Sequence, residues 1–285
     1  MKEHHLEIIY DYVRYCTKTK DVRHLRFHNA YNPYKKKQST FKLINRAISQ
    51  QIIFPPRLFC IQKAKVKLLD HKDHLQVEQF EKEKKLQNTY YVVLLLGSHS
   101  LLSFSVSDSQ SDTNLSFARC TFPTYPSEKK ISDIDPCCHG AGKLPVMEPP
   151  DWSPFEWKVY YERNNPVASS VKIGEKLKVS YRTVLNAYYR IVEDCTIWIP
   201  FFPLGYENYV QYLVSLQTDY EIGLIEELKK IDRSSYIYKI DDTILLNLFF
   251  KRQIEIDSIL KLEKKGEIRN LRVSSPLWSY EHFQP

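Results

Sequence analysis

Glycine is scarce in this chain: 7 of 285 residues, about 2.5% where roughly 7% is usual. Gly97, Gly140, Gly142, Gly174, Gly205, Gly223 and Gly266 form no G-x-G-x-x-G and no G-x-x-x-x-G-K-[ST] frame. Loops that bring backbone amides close to a phosphate are therefore absent, which excludes the common dinucleotide and P-loop readings. Long apolar runs are missing as well. The longest candidate, Tyr90–Leu96, falls far short of the roughly 18 residues that cross a bilayer, and its β-branched and aromatic content reads as a buried strand. No membrane association is expected. The start, Met1-Lys-Glu-His-His, is polar and has no apolar signal-peptide core. With six cysteines, this points to reduced thiols and a cytoplasmic protein. G-x-S-x-G, C-x-x-C and H-E-x-x-H are all lacking, so no catalytic residue and no cofactor is assigned.

What the sequence does have is aromatic mass and uneven charge. Aromatics make up 13%, with 20 Tyr, and hydrophobic residues 43%, enough for a full core. The length sets a prior of roughly two domains. Residues 1–60 hold twelve Lys/Arg against four Asp/Glu, a net +8, whereas the whole chain sums to +7. A basic end on a near-neutral body is the electrostatic footprint of a polyanion binder.

The sequence also repeats itself. At an offset of 145 residues, Ile52-Ile-Phe-Pro-Pro falls on Ile197-Trp-Ile-Pro-Phe, and Val77, Phe80, Lys84 and Lys85 fall on Ile222, Ile225, Lys229 and Lys230. Tyr91-Val-Val-Leu-Leu meets Tyr236-Ile-Tyr-Lys-Ile, and Phe104 meets Phe249. Further on the offset grows to 153, so the second copy is longer by about eight residues. Between the copies lies Pro126–Pro154, which carries six prolines and no sustained periodicity; it reads as a linker.

The second copy predicts helices over Phe155–Arg163 and Ser169–Leu177. A third, capped by Ser180, runs to about Asp194 with Val184, Leu185, Tyr188, Ile191 and Val192 on one face. Strand, helix, strand, strand, helix and strand follow over Glu207–Leu216, Tyr220–Ile231, Ser235–Ile240, Ile244–Lys251, Glu255–Lys264 and Ile268–Ser274. That β-α-β-β-α-β order is the ferredoxin-like sandwich. The first copy predicts helices over Leu6–Tyr15, Asp21–His28 and Ser39–Gln51, then Lys63–Leu69, His74–Leu86, Thr89–Leu96 and Leu101–Ser107 as β-α-β-β. Asp108–Phe117 reads as a loop in place of the second sandwich helix.

Three helices, the third capped by Ser with polar residues at its start, form the helix-turn-helix pattern, in which that third helix enters the major groove. Arg reads guanine, Asn reads adenine, and Ser or Thr reaches phosphates or bases. The candidate DNA-binding residues of the second copy are Ser180, Tyr181, Arg182, Thr183, Asn186 and, on the backbone, Arg190. Those of the first copy are Lys35, Lys36, Lys37, Gln38, Ser39, Lys42, Asn45 and Arg46. The run Ser170-Val-Lys-Ile-Gly-Glu-Lys-Leu-Lys-Val-Ser-Tyr-Arg-Thr-Val, followed by β-α-β-β-α-β, resembles the Lrp/AsnC (feast/famine) family of transcription regulators. The resemblance covers residues 155–275 well and 6–125 more loosely.

That resemblance implies an α+β protein with two winged or helix-turn-helix DNA-binding heads and two ferredoxin-like (βαββαβ) sandwiches, the first lacking its second helix. The expected division is 1–53 for the first head, 54–126 for the first, abbreviated sandwich and 127–154 for the linker. The second head is then 155–196 and the second sandwich 197–285. The implied function is that of a sequence-specific regulator, not an enzyme, with double-stranded DNA as partner. Its sandwiches pair within one molecule as a pseudo-dimer, or between molecules as a homo-oligomer. Family members that bind amino acids carry Gly and Asp in the turn between the central strands. Leu96-Gly-Ser-His and Ile240-Asp-Asp-Thr do not keep that pair, so any small-molecule effector is of unknown identity. Siroheme decarboxylases resemble the same family and supply the alternative, an enzyme on this architecture. A second alternative is a metabolite-sensing or assembly module that does not bind DNA. Cys137-Cys138-His139 lies in the linker, where adjacent cysteines need partners elsewhere to hold zinc; no metal is expected.

Overall fold

The computed structural model describes residues 1–18, 34, 37–62, 64–70, 76–106 and 115–281, the side chain of Lys37 excepted. The expected helix Asp21–His28 lies outside them, as do Lys35 and Lys36. The protein is α+β with antiparallel sheets, and it divides into two compact units, 1–60 with 150–206, and 61–149 with 207–284. No helix among the described residues is long and apolar enough to cross a membrane.

The first unit is helical. Helix α1, Glu3–Lys18, begins on an acid and ends on a base, as the helix dipole favours. It buries Ile9, Tyr12, Val13 and Cys16, spaced as one helical face. Helix α2, Lys37–Ser49, buries Leu43, Ile44 and Ala47. Helix α4, Pro154–Glu162, opens with a capping box between Ser153 and Glu156 and proline in its first turn. Helix α5, Ser170–Leu177, stops at Lys178, which takes the left-handed conformation (φ 56°). Ser180 then accepts from Thr183 N and caps α6, Tyr181–Asp194. Each copy adds one short strand, β1 (Arg57–Phe59) and β6 (Thr196–Trp198), and these pair with each other. Phe59 stacks on Trp198 with ring centroids 4.0 Å apart.

The second unit holds an eight-stranded sheet in the order β2-β4-β3-β10-β7-β9-β8-β5. From the first copy come β2 (Ala64–Asp70), α3 (Gln76–Lys84), β3 (Thr89–Gly97), β4 (His99–Val106) and β5 (Leu115–Cys120). From the second come β7 (Val210–Gln217), α7 (Glu221–Leu228), β8 (Tyr236–Ile240), β9 (Thr243–Phe250), α8 (Asp257–Lys264) and β10 (Arg269–Glu281). The second copy makes the full β10-β7-β9-β8 sheet of a ferredoxin-like domain. The first contributes β2-β4-β3, while its last strand, β5, pairs with β8 of the second. Strand β10 continues past β7 to pair with β3.

The expected loop at Asp108–Phe117 is corrected at its end, because Leu115–Cys120 is a strand. The segment 127–149, expected as linker, packs on the second copy. It forms short 3-10 turns at Ile131–Asp133 and Pro136–His139. Ile131, Ile134 and Leu144 join the core of Val214, Leu224, Ile225, Leu246 and Phe250. These apolar residues stand singly among prolines and charges, so no period advertises their burial.

Candidate functional site

The two faces of the sheet differ. Phe80 of α3 packs on Val92, Leu94 and Leu101, and α7 and α8 cover Val214, Ile237 and Leu246. Alternation along each strand sends Tyr91, Phe104, Tyr238, Asn247, Ser215 and Arg272 to the opposite face. The sheet curls around that face. Phe104 on β4 and Tyr238 on β8 stand second and seventh in strand order, yet their ring centroids lie 5.4 Å apart. Phe104 is buried, whereas Tyr91 and Tyr238 keep part of their surface open.

At one end of this face a hydrogen-bonded relay runs from solvent inward. His99, 2% exposed, opens β4 directly after the turn that leaves β3. Its Nδ1 lies 3.2 Å from Asp70 Oδ1 at the end of β2, and its Nε2 lies 2.7 Å from Ser215 Oγ on β7. The backbone N–H of His99 donates to Ser274 Oγ at 2.9 Å. Arg272 pairs with the half-exposed Asp70 at 2.5 Å. That hydrogen bond is the main reason the Asp70 carboxyl is held below its ordinary range. Burial pushes the His99 pKa down against the raising influence of Asp70, so the ring is neutral at neutral pH. A neutral ring that donates from Nδ1 to Asp70 accepts at Nε2 from the Ser215 hydroxyl.

The order Asp, His, Ser matches a hydrolase triad, but the surroundings do not. Ser215 is 3% exposed in mid-strand, with β9 on one side and β10 on the other. Its backbone lies between two paired strands, not at a sharp loop or helix N-terminus where amides are turned toward a substrate oxygen. The three groups instead form one hydrogen-bonded chain, Ser215 donating to His99 and His99 to Asp70, that joins the buried face to the half-exposed end of β2. Sequence reasoning missed this group because its members lie 29 and 116 residues apart and no local motif joins them.

Two further clusters involve the former linker. Cys138, His139 and Glu227 bring one ligand atom each within 4.8 Å of one another, as do Asp135, Cys137 and Glu267. Glu227 is also bonded by Lys129 and Lys230. Despite the opposing influence of burial, these bonds and that of His139 lower its pKa from 4.5 to about 2.

The candidate DNA-binding residues that are described lie apart from these groups, in the first unit. Gln38, Ser39, Lys42, Asn45 and Arg46 are exposed on α2, as are Tyr181, Arg182, Thr183, Asn186 and Arg190 on α6. Ser180 and Thr183 are engaged in the helix cap. Arg190 pairs with Glu156 of α4 at 2.9 Å.

The architecture defines a class: a tandem of helical heads with an eight-stranded α+β sheet built jointly by both copies. No protein-family model matches the sequence, and no curated protein matches it. Solved structures do. The crystal structure of the siroheme decarboxylase NirDL in complex with an iron-uroporphyrin III analogue aligns with a TM-score of 0.53 at 9% identity, over 97% of this chain and 95% of that one. A second crystal structure of NirDL aligns with a TM-score of 0.51 at 10% identity, over 96% and 93%.

This likeness corrects the reading of the protein as a DNA-binding regulator with a duplex-DNA partner and no enzymatic activity. An enzyme matches, from end to end, the architecture on which that reading rested. The physical reason is that three helices and a sandwich describe a scaffold, whereas function lies in the site carried on it. Exposed residues such as Arg182 and Asn186 serve equally as the solvated face of a packed helix.

Proposed function

We propose that the protein is an enzyme of siroheme decarboxylase type, acting on an iron-containing tetrapyrrole that bears carboxylate substituents. The observation that carries this reading is the whole-length match, heads and sheets together, to NirDL. In such a reaction the bond between a carboxylate and its neighbouring carbon breaks and CO2 leaves. The electron pair stays on the remaining carbon, next to the conjugated ring, and a proton must then reach that carbon. The Asp70–His99–Ser215 relay supplies a route for that proton in the other His99 tautomer: Ser215 gives its hydroxyl proton to the carbon, His99 Nε2–H replaces it, and Nδ1 is refilled from water by way of Asp70. The partly open rings of Tyr91 and Tyr238 offer flat apolar surface for a macrocycle. None of the six cysteines is in a disulfide, which suits a reducing, cytoplasmic setting.

The test is a titration of the purified protein with siroheme, and in parallel with iron-uroporphyrin III, under anaerobic conditions. The expected result is a shifted Soret band and, after incubation with siroheme, a product lighter by CO2 in the mass spectrum. A Soret shift without CO2 release would make the protein a metabolite-binding module and overturn the enzyme reading. No shift would overturn both.

A further inference from the structure

We propose that Cys138, His139 and Glu227 form a binding site for zinc, on the face of α7 that carries the former linker. The sequence offers only an adjacent Cys-His pair; the structure adds a buried carboxylate from 88 residues away. Glu227 Oε1 is the point of convergence, with His139 Nε2 at 3.0 Å and Cys138 Sγ at 3.7 Å. Zinc bonds of about 2.3 Å to sulfur and about 2.0–2.2 Å to nitrogen and oxygen place ligands of a tetrahedron roughly 3.3–3.7 Å apart. The observed spacings need only small side-chain adjustments. The donor set of thiolate, imidazole and carboxylate is one that zinc accepts, with a fourth position left for water.

The position between these donors already holds a cation. Lys230 Nζ lies 2.5 Å from Glu227 Oε1 and 3.5 Å from His139 Nε2. Lys230 is half-exposed, so its ammonium can swing into water when a divalent ion arrives. Lys129 stays on the other carboxylate oxygen, Oε2, and the Asp135 backbone N–H donates to that same oxygen at 3.3 Å. Binding therefore exchanges one ammonium for one metal ion and releases the Cys138 thiol proton to solvent.

The site is also built. The turn Pro136–His139 rests so closely on α7 that a Cβ on Gly223 would lie 2.1 Å from the Pro136 carbonyl oxygen. Ile131 and Ile134 anchor the approach in the core. The ligands are thus held before any metal comes.

Cobalt(II) is the probe, added to the full-length protein freed of metal and kept reduced. The expected result is about one equivalent bound, with a thiolate-to-cobalt charge-transfer band that zinc abolishes. Cys138→Ser should remove the band, whereas Cys137→Ser should keep it. His139→Ala should weaken binding at least about tenfold. Lys230→Ala, which removes the competing ammonium, should tighten it several-fold. Circular dichroism of each variant confirms that it is folded. The proposal is overturned if the wild-type protein binds no cobalt or if the Cys138→Ser/His139→Ala variant binds it as tightly. Unchanged affinity in Lys230→Ala would also overturn it.

Discussion

At the scale of single residues, the consequential groups are those whose charge the fold has altered. Burial holds the His99 pKa below its usual 6.5. Between the folded and unfolded values the unfolded state therefore binds more protons, and stability falls as pH drops through the unfolded value. Urea midpoints measured from about pH 7.5 down to about pH 5.5 should decline, and should decline less in His99→Gln. If His99 holds the reaction's proton, the same variant should lower kcat by about 10²-fold or more while leaving KM for siroheme nearly unchanged. Loss of KM and kcat in equal measure would instead mark a merely structural histidine. Glu227 acts with the same sign in a more acidic window. Its contribution is complete above 4.5 and is lost as pH falls toward about 2, so Glu227→Gln should flatten the decline of urea midpoints in a second series run from about pH 5 down to about pH 2.5. Neither residue stood out in the sequence, because a histidine after a turn and a glutamate on a helix acquire their roles from partners on other elements.

At the scale of elements, close approach requires glycine at Gly97, Gly174 and Gly223, and the first and last of these are tests. An alanine at Gly223 would drive its Cβ into the Pro136 carbonyl, so Gly223→Ala should cost about 1–3 kcal/mol and loosen the turn Pro136–His139 from α7. Gly97 has φ +134°, and a Cβ there would stand 2.5 Å from Val273 O. Gly97→Ala should therefore destabilise the place where β10 passes from β7 to β3, read as faster amide exchange along Ser275–Glu281. The elements themselves were largely legible in the sequence. Apolar periods locate α6, β7, β8 and β9 closely, and the starts of α2, β2, α3, β3 and β4 recur 144 to 147 residues later in α6, β7, α7, β8 and β9. The misreadings have specific causes. Strand β5 is six residues long beside a Ser/Asp-rich stretch, and 127–149 reaches the core through isolated side chains that show no period. The helices α4, α5 and α6 of the second copy were legible too, but DNA reading does not follow from them.

At the scale of the whole molecule, the copies are completed by each other. Strand β10 of the second copy lies against β3 of the first from Ser274 to Glu281, and β5 of the first lies against β8 of the second from Leu115 to Cys120. Local sequence pattern sets which face of a strand is buried, but it carries no signal for which distant edge that strand will choose. This is why the tandem order could be read and the exchange of last strands could not. The exchange makes a strong demand on folding. Cut between residues 149 and 150, the first piece keeps Ile131, Ile134 and Leu144 without the core they enter and leaves the edge of β3 unpaired. The second keeps α7 without its covering turn and leaves β8 as an open edge, the situation that invites aggregation. Each piece made alone should therefore be aggregated or lack fixed tertiary packing, seen as absent near-ultraviolet circular dichroism. The two made together should assemble as a one-to-one complex on size exclusion and recover that signal. On the proposed reading, the Soret shift should return with the complex and with neither piece, since the face on which Phe104 of the first copy meets Tyr238 of the second is complete only when both are present. A single piece that folds as a stable monomer and shifts the Soret band by itself would show that one sandwich suffices, and that the duplication serves some purpose other than building the site.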